Sequence, residues 1–175
     1  MKLIATTLIT LILLAPSTAF SQTRNRSTSR QKPTTTAAQR VSQVRTAGAT
    51  RLAEQIKLLS RFIYLLGGVS NGIAAVDEAV RRNEASPALV QKNEQSKAQV
   101  KSSIQNFRIT LDKLEIDFRA APELQPYYIK LAGVAAGAAT AEEQAAANQF
   151  EASARSLLGV INRLTDVLLL MRTTE

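Results

Sequence analysis

The chain has 175 residues, neither cysteine nor histidine, and a formal net charge of +8 at neutral pH. The lack of cysteine excludes disulfides and thiol catalysis. Without either residue, zinc, copper, haem and iron–sulfur sites lose their usual ligands, so we expect no cofactor. The length fits one domain with a substantial core after a short leader is removed.

The first 21 residues have the layout of a secretory signal peptide. Lys2 provides a positive start, residues 3–15 form an apolar run, and small residues follow Pro16. About thirteen apolar residues are too few to cross a bilayer core, which needs roughly 20. The pattern predicts cleavage after Ala19 or Ser21. It also predicts export to the periplasm or extracellular space, with no transmembrane segment in the mature chain.

Apart from Lys2, the excess positive charge is confined to the residues that follow this leader. Seven cations and no acid lie within 22–51, whereas 52–175 contains 14 Lys and Arg against 14 Asp and Glu. Residues 22–36 are also rich in Ser, Thr and Gln, which predicts a disordered linker. This linker is either a solvated spacer or an electrostatic tether to anionic envelope polymers or lipid headgroups. The candidate tether residues are Arg24, Arg26, Arg30, Lys32, Arg40 and Arg45.

From residue 37 onward the apolar residues recur at intervals of three and four, which predicts a single helical domain over 37–175. The predicted segments lie near 37–66, 69–84, 87–119 and 124–172. Gly67-Gly68 either turns the chain or lies within one long helix, and we favour the turn. Ser86-Pro87 has the pattern of a helix start, with serine as the N-cap. The clearest seams are Val100, Ile104, Phe107, Leu111, Leu114 and Phe118, and then Phe150, Ala154, Leu157, Ile161, Leu164, Leu168 and Met171.

The last predicted segment contains a stretch rich in alanine and glycine at 131–148. Small residues allow a close neighbour, and the large apolar residues of 107–118 are the predicted partners across the 120–123 turn. Thr140 followed by Glu143 matches a capping box, which predicts a kink or restart there. Residues 148–154 resemble the turn and second-helix start of a tetratricopeptide repeat. Nothing similar recurs about 34 positions away, so no peptide-binding function follows.

These patterns predict an all-α fold, an elongated antiparallel bundle of three to four long helices with coiled-coil-like seams. Acid–base pairs four residues apart, such as Asp77 with Arg81 and Glu78 with Arg82, also indicate helix. Residues 69–119 could instead form one arm bent at Pro87. In that arrangement the 98–119 and 124–145 portions extend as a two-helix hairpin.

The functional hypotheses follow from export, a neutral body and the residue types present. With only carboxylates and lysines for acid–base work, we expect no enzyme. The leading hypothesis is an exported helical-bundle protein of the cell envelope that acts by protein or surface contacts. The alternative is a small-molecule or lipid-binding bundle that uses the segment 131–140. Expected partners are an envelope protein, an anionic cell-surface polymer or further copies joined through helical seams, and not nucleic acid, because the body is neutral.

Overall fold

The computed structural model describes residues 36–173, which form five helices. They are α1 (Ala37–Arg81), α2 (Pro87–Ala120), α3 (Gln125–Leu131), α4 (Val134–Ala146) and α5 (Phe150–Thr173). No strand occurs within 36–173, and the predicted all-α class is confirmed. The predicted signal peptide and nearly all of the predicted linker lie outside the described residues.

Both long helices begin at caps formed by local side chains. Thr36 and Gln39 form a capping box, in which each side chain accepts a hydrogen bond from the backbone N–H of the other residue. Ser86 accepts one from the Leu89 N–H, and Pro87 occupies the first turn of α2. Such caps satisfy backbone N–H groups that have no partner within the helix. The helix start predicted at Ser86-Pro87 is therefore confirmed, whereas sequence reasoning did not identify the cap at Thr36.

The first helix is continuous over 45 residues, so the predicted turn at Gly67-Gly68 is wrong. Leu59, Leu66 and Ile73, spaced by seven, are all buried on one side of this helix. A glycine disfavours the helix by about 1 kcal/mol relative to alanine. Burying large apolar side chains before and after the glycine pair gives more than that, at about 1.5–3 kcal/mol each, so the helix continues.

The chain reverses between α1 and α2, where Asn83 adopts the left-handed conformation. The two helices run antiparallel, because Arg51 pairs with Asp117 while Asp77 pairs with Lys97. The interpretation of 69–119 as one arm bent at Pro87 is therefore wrong. The reversal at residues 82–86 lets the predicted seam of α2 pack back toward α1.

The predicted segment 124–172 is three helices rather than one kinked helix. Gly133 lies at φ 92° between α3 and α4, and Asn148 at φ 60° between α4 and α5. A left-handed residue ends a helix, which explains both breaks. Thr140 lies inside α4, where its hydroxyl donates to the Ala136 carbonyl, so the kink or restart predicted there is wrong.

The four longer helices form an antiparallel bundle around one core. α1 and α4 each pack against α2 and α5, while α3 packs against α2 and α5. The seams predicted on α2 and α5 are confirmed, since most of their members are buried and the others pack against the core. Residues 98–119 and 124–145 do not extend as a separate hairpin, because α5 covers α4. Instead the ends of α1 and α2 reach past the α4–α5 turn, which lies beside Ser70 and Asp77.

Candidate interaction surfaces

The alanine- and glycine-rich segment 131–140 is closely packed. Leu131, Val134 and Ala138 are at most 1% exposed. A Cβ added to Gly137 would lie 2.9 Å from Val160 Cγ2, which shows that α5 occupies the space beside the small residues. Outside this contact an open surface depression of about 260 Å³ lies beside Gly133, Gly137 and neighbouring residues. The packing therefore leaves little room for the ligand that the alternative hypothesis requires.

The part of α1 at residues 62–76 is apolar and largely exposed. Residues 62–76 contain no charged side chain. By length and composition alone, α1 is the one helix within the described range that is apolar enough to cross a membrane, and only 17% of its most apolar window is buried. Core helices of soluble bundles and signal sequences meet the same criteria of length and composition.

An apolar stripe runs along the outside of α1. Leu58, Leu65 and Val69 are 50%, 57% and 40% exposed, and Gly72 and Val76 continue the same line. At 3.6 residues per turn, this line lies roughly 90° around the helix from the buried side chains. Apart from the adjacent residues and the nearby backbone of α1 itself, no atom lies within 4 Å of the position that a Cβ would take at Gly72. We call these five residues the α1 apolar face.

An aromatic pair lies beside the α1 apolar face. Phe62 of α1 and Phe107 of α2 have ring centroids 5.1 Å apart, in a tilted arrangement. Both side chains are only partly buried and pack against the core. The α1 apolar face therefore lies beside a partly exposed aromatic contact between α1 and α2.

A buried lysine joins α1 to α2 on the core side. The Lys97 side chain is 10% exposed, and its Nζ lies 2.7 Å from an Asp77 oxygen and 2.9 Å from a Glu94 oxygen. Asn93 donates a hydrogen bond to the same Asp77 oxygen. The hydrogen bond to Asp77 raises the pKa of Lys97, against the opposing effect of desolvation. These groups satisfy one another, which is the arrangement of a structural contact.

A polar concavity lies next to this cluster. An open groove of about 470 Å³ runs between α1 and the start of α5, and its charged lining residues are Asp77, Glu151 and Arg155. Within 36–173 no group of three or more His, Cys, Asp or Glu side chains could hold a metal ion. The groove thus brings together side chains that can form hydrogen bonds but not a set of metal ligands.

Two of the six candidate tether residues lie within the described part of the chain. Arg40 is exposed near the start of α1. Arg45 is half-buried, with its guanidinium carbon 5.9 Å from the Tyr127 ring centroid, so it helps to join α1 to α3. Arg24, Arg26, Arg30 and Lys32 lie outside the described residues. Comparison with protein-family models, curated proteins and solved structures finds no match to this chain.

Proposed function

We propose that the chain is an exported, non-enzymatic helical-bundle protein that acts by protein contacts along the α1 apolar face. The observation that carries the proposal is an exposed apolar stripe on a bundle whose core is closely packed. Contiguous exposed apolar patches on soluble proteins mark sites of interaction. Export rests on the signal-peptide pattern of residues 1–21.

A partner helix suits this surface. Leu58, Leu65, Val69, Gly72 and Val76 are separated by seven, four, three and four residues, which is the spacing of a coiled-coil seam. The open glycine at 72 allows another backbone to come close, and the partly exposed rings of Phe62 and Phe107 offer further apolar contacts. Recognition of an amphipathic helix by an apolar groove uses the same kind of spacing.

The competing functions have less support. Ligand binding beside 131–140 would require α5 to move, because Gly137 is already in close contact with Val160. Catalysis would have to proceed without histidine as a general acid or base and without a cysteine nucleophile, because the chain contains neither residue. Contacts along α1 require no rearrangement of the bundle.

Site-specific photocrosslinking in the native host tests this proposal. A photoreactive residue at Leu65 should give a discrete protein adduct, whereas the same residue at Ile109, an exposed apolar position on α2, should not. Leu65→Glu should remove the partner while leaving the melting temperature within about 2 °C, as expected for an exposed site. Equal adducts from positions 65 and 109 would contradict a specific surface.

Export is tested separately by sequencing the N-terminus of the protein from the extracytoplasmic fraction. Cleavage at the predicted sites should give a chain that begins at Phe20 or Gln22. An intact Met1 on a membrane-embedded protein would contradict export, but it would leave the contacts of the α1 apolar face to be judged by crosslinking.

A further inference from the structure

The end of the bundle where α1 begins is positively charged. It consists of residues 36–51, 117–133 and 163–173, and we call it the basic end. Three contacts join these stretches, namely Arg45 with Tyr127, Arg51 with Asp117, and the Arg163 guanidinium with the Ala132 carbonyl. The seven cations of the basic end outnumber its three acids, and they are Arg40, Arg45, Arg51, Arg119, Lys130, Arg163 and Arg172.

The opposite end of the bundle has the reverse balance. Residues 74–97 and 142–155 contain seven acids and five cations. The charge of the described bundle is therefore distributed unevenly along its length. The cations at 24–32 precede α1 in sequence.

An exposed apolar side chain lies among these cations. Tyr127 and Leu131 of α3 are buried in the core, whereas Ile129, on the opposite side of the same helix, is 77% exposed. Ile129 and Tyr128 line an open depression of about 480 Å³ together with Arg119, Pro122, Gln125 and Pro126. Lys130 is adjacent in sequence and also exposed. The basic end thus offers apolar and cationic groups side by side.

We propose that the basic end binds the surface of an anionic lipid membrane. Ile129 enters the boundary between headgroups and acyl chains, while Arg40, Arg119 and Lys130 meet lipid phosphates. Interfacial binding combines buried apolar area with electrostatic attraction in this way. The proposal depends on the basic end alone and not on protein contacts of the α1 apolar face.

The chemistry favours lipid over the other anionic partners. A polymer of phosphates or acidic sugars would attract the cations but has no apolar layer to receive Ile129. A protein partner is less suitable, because Lys130 lies next to Ile129 and lysine is depleted from protein interfaces. Each cation near an anionic membrane contributes about 1 kcal/mol, which is about fivefold in affinity.

The chain contains no tryptophan, so a single introduced one reports on its own surroundings. In Ile129→Trp, vesicles of phosphatidylglycerol and phosphatidylcholine at low salt should shift the emission to the blue. Brominated acyl chains should quench that emission. Ile109→Trp on α2 and Leu65→Trp on the α1 apolar face are matched controls at exposed apolar positions, and neither should respond. Vesicles of phosphatidylcholine alone should leave all three spectra unchanged.

Affinity measurements by vesicle sedimentation complete the test. Arg119→Gln and Lys130→Gln should each weaken binding about fivefold, and high salt should weaken it further. Leu65→Glu should leave vesicle binding unchanged, which separates this proposal from the proposed function. A blue shift in the Leu65→Trp variant in place of the Ile129→Trp variant would overturn the proposal and assign the membrane to the α1 apolar face. Salt-sensitive binding without a blue shift in Ile129→Trp would also overturn it, leaving electrostatic attachment alone.

Discussion

Small residues occur both on α4 and at residues 67–72 of α1, but those of α4 are closely packed whereas those of α1 are exposed. On α4 a Cβ at Gly137 would approach Val160 Cγ2 to 2.9 Å, whereas on α1 the same test at Gly67, Gly68 and Gly72 meets no atom within 4 Å. Segment 131–140 is covered by α2 and α5, while most of the α1 apolar face is exposed in the described bundle. A run of small residues therefore permits a close neighbour but does not show that the fold supplies one.

The comparison also separates two ways of stabilising the bundle. Packing stabilises the region around α4 and α5, where apolar side chains from several helices meet. The far ends of α1 and α2 are held partly by polar contacts, through Asp77, Asn93 and Lys97. Substitutions in the two regions should therefore change the free energy of unfolding by different amounts, with different signs and with a different dependence on pH.

The largest effect is expected in the packed region. Leu164 on α5 is fully buried, so Leu164→Ala should lower the free energy of unfolding by about 2–5 kcal/mol through lost transfer energy and a cavity. Asn162→Ala, at an exposed position on the same helix, should cost less than about 0.5 kcal/mol. Urea denaturation of both variants measures the difference. Equal midpoints for the two variants would show that the register of α5 is wrong.

The register of α5 could be predicted from sequence because its seam is long and regular. The same reasoning identified the start of α2, where serine precedes proline. The sequence-based prediction was wrong at glycine, which is compatible both with the end of a helix and with its continuation. Gly133 ends α3, but Gly67 and Gly68 continue α1, and only the burial of Ile73 in line with Leu66 decides the second case.

Two other features required contacts that are distant in sequence. The spacing of four residues indicated that Asp77 would pair with Arg81, but Asp77 contacts Lys97 of the next helix. The turn at Asn148 lies where residues 148–154 resemble the turn of a helical repeat, a signal that could have replaced the predicted break at Thr140. The basic end was visible only in part, because α3 and α5 bring their cations beside α1 through folding.

The next largest effect tests close packing directly. Gly137→Ala should cost about 1–3 kcal/mol, because the new methyl group overlaps Val160, whose branched side chain has little freedom to move. Val160→Ala alone should also destabilise the protein by leaving a cavity. The double variant should lose less free energy than the sum of the two single variants. Strict additivity in denaturant unfolding would show that the two residues do not touch.

The polar contacts of the other region predict a dependence on pH. Lys97→Met should cost about 1–3 kcal/mol at neutral pH, because charged hydrogen bonds to Asp77 and Glu94 are lost. Lys92→Met, at an exposed position on α2, is the matched control and should have little effect. Urea unfolding of the protein and both variants measures these differences from about pH 7 to above the ordinary lysine pKa of about 10.4.

The direction of this dependence follows from the raised pKa of Lys97 in the folded state. A raised pKa means that the folded protein holds the proton more tightly than the unfolded chain. The stabilisation should therefore be fully present below the ordinary lysine pKa of about 10.4 and should be lost as the pH rises through the folded-state pKa. A difference between the protein and Lys97→Met that grows with rising pH would contradict the ion pair.

The smallest expected effect is a gain in the free energy of unfolding, and it tests the exposed α1 apolar face. Gly72→Ala should stabilise the isolated protein by about 0.5–1 kcal/mol, because alanine favours a helix interior and nothing obstructs its methyl group. Gly159→Ala, at an equally open position on α5, should stabilise it to a similar extent. The two variants should differ only in crosslinking from position 65. If a partner helix approaches α1 closely, Gly72→Ala weakens that adduct while Gly159→Ala preserves it. A gain in stability with no change in the adduct for either variant would show that Gly72 is not a point of close approach.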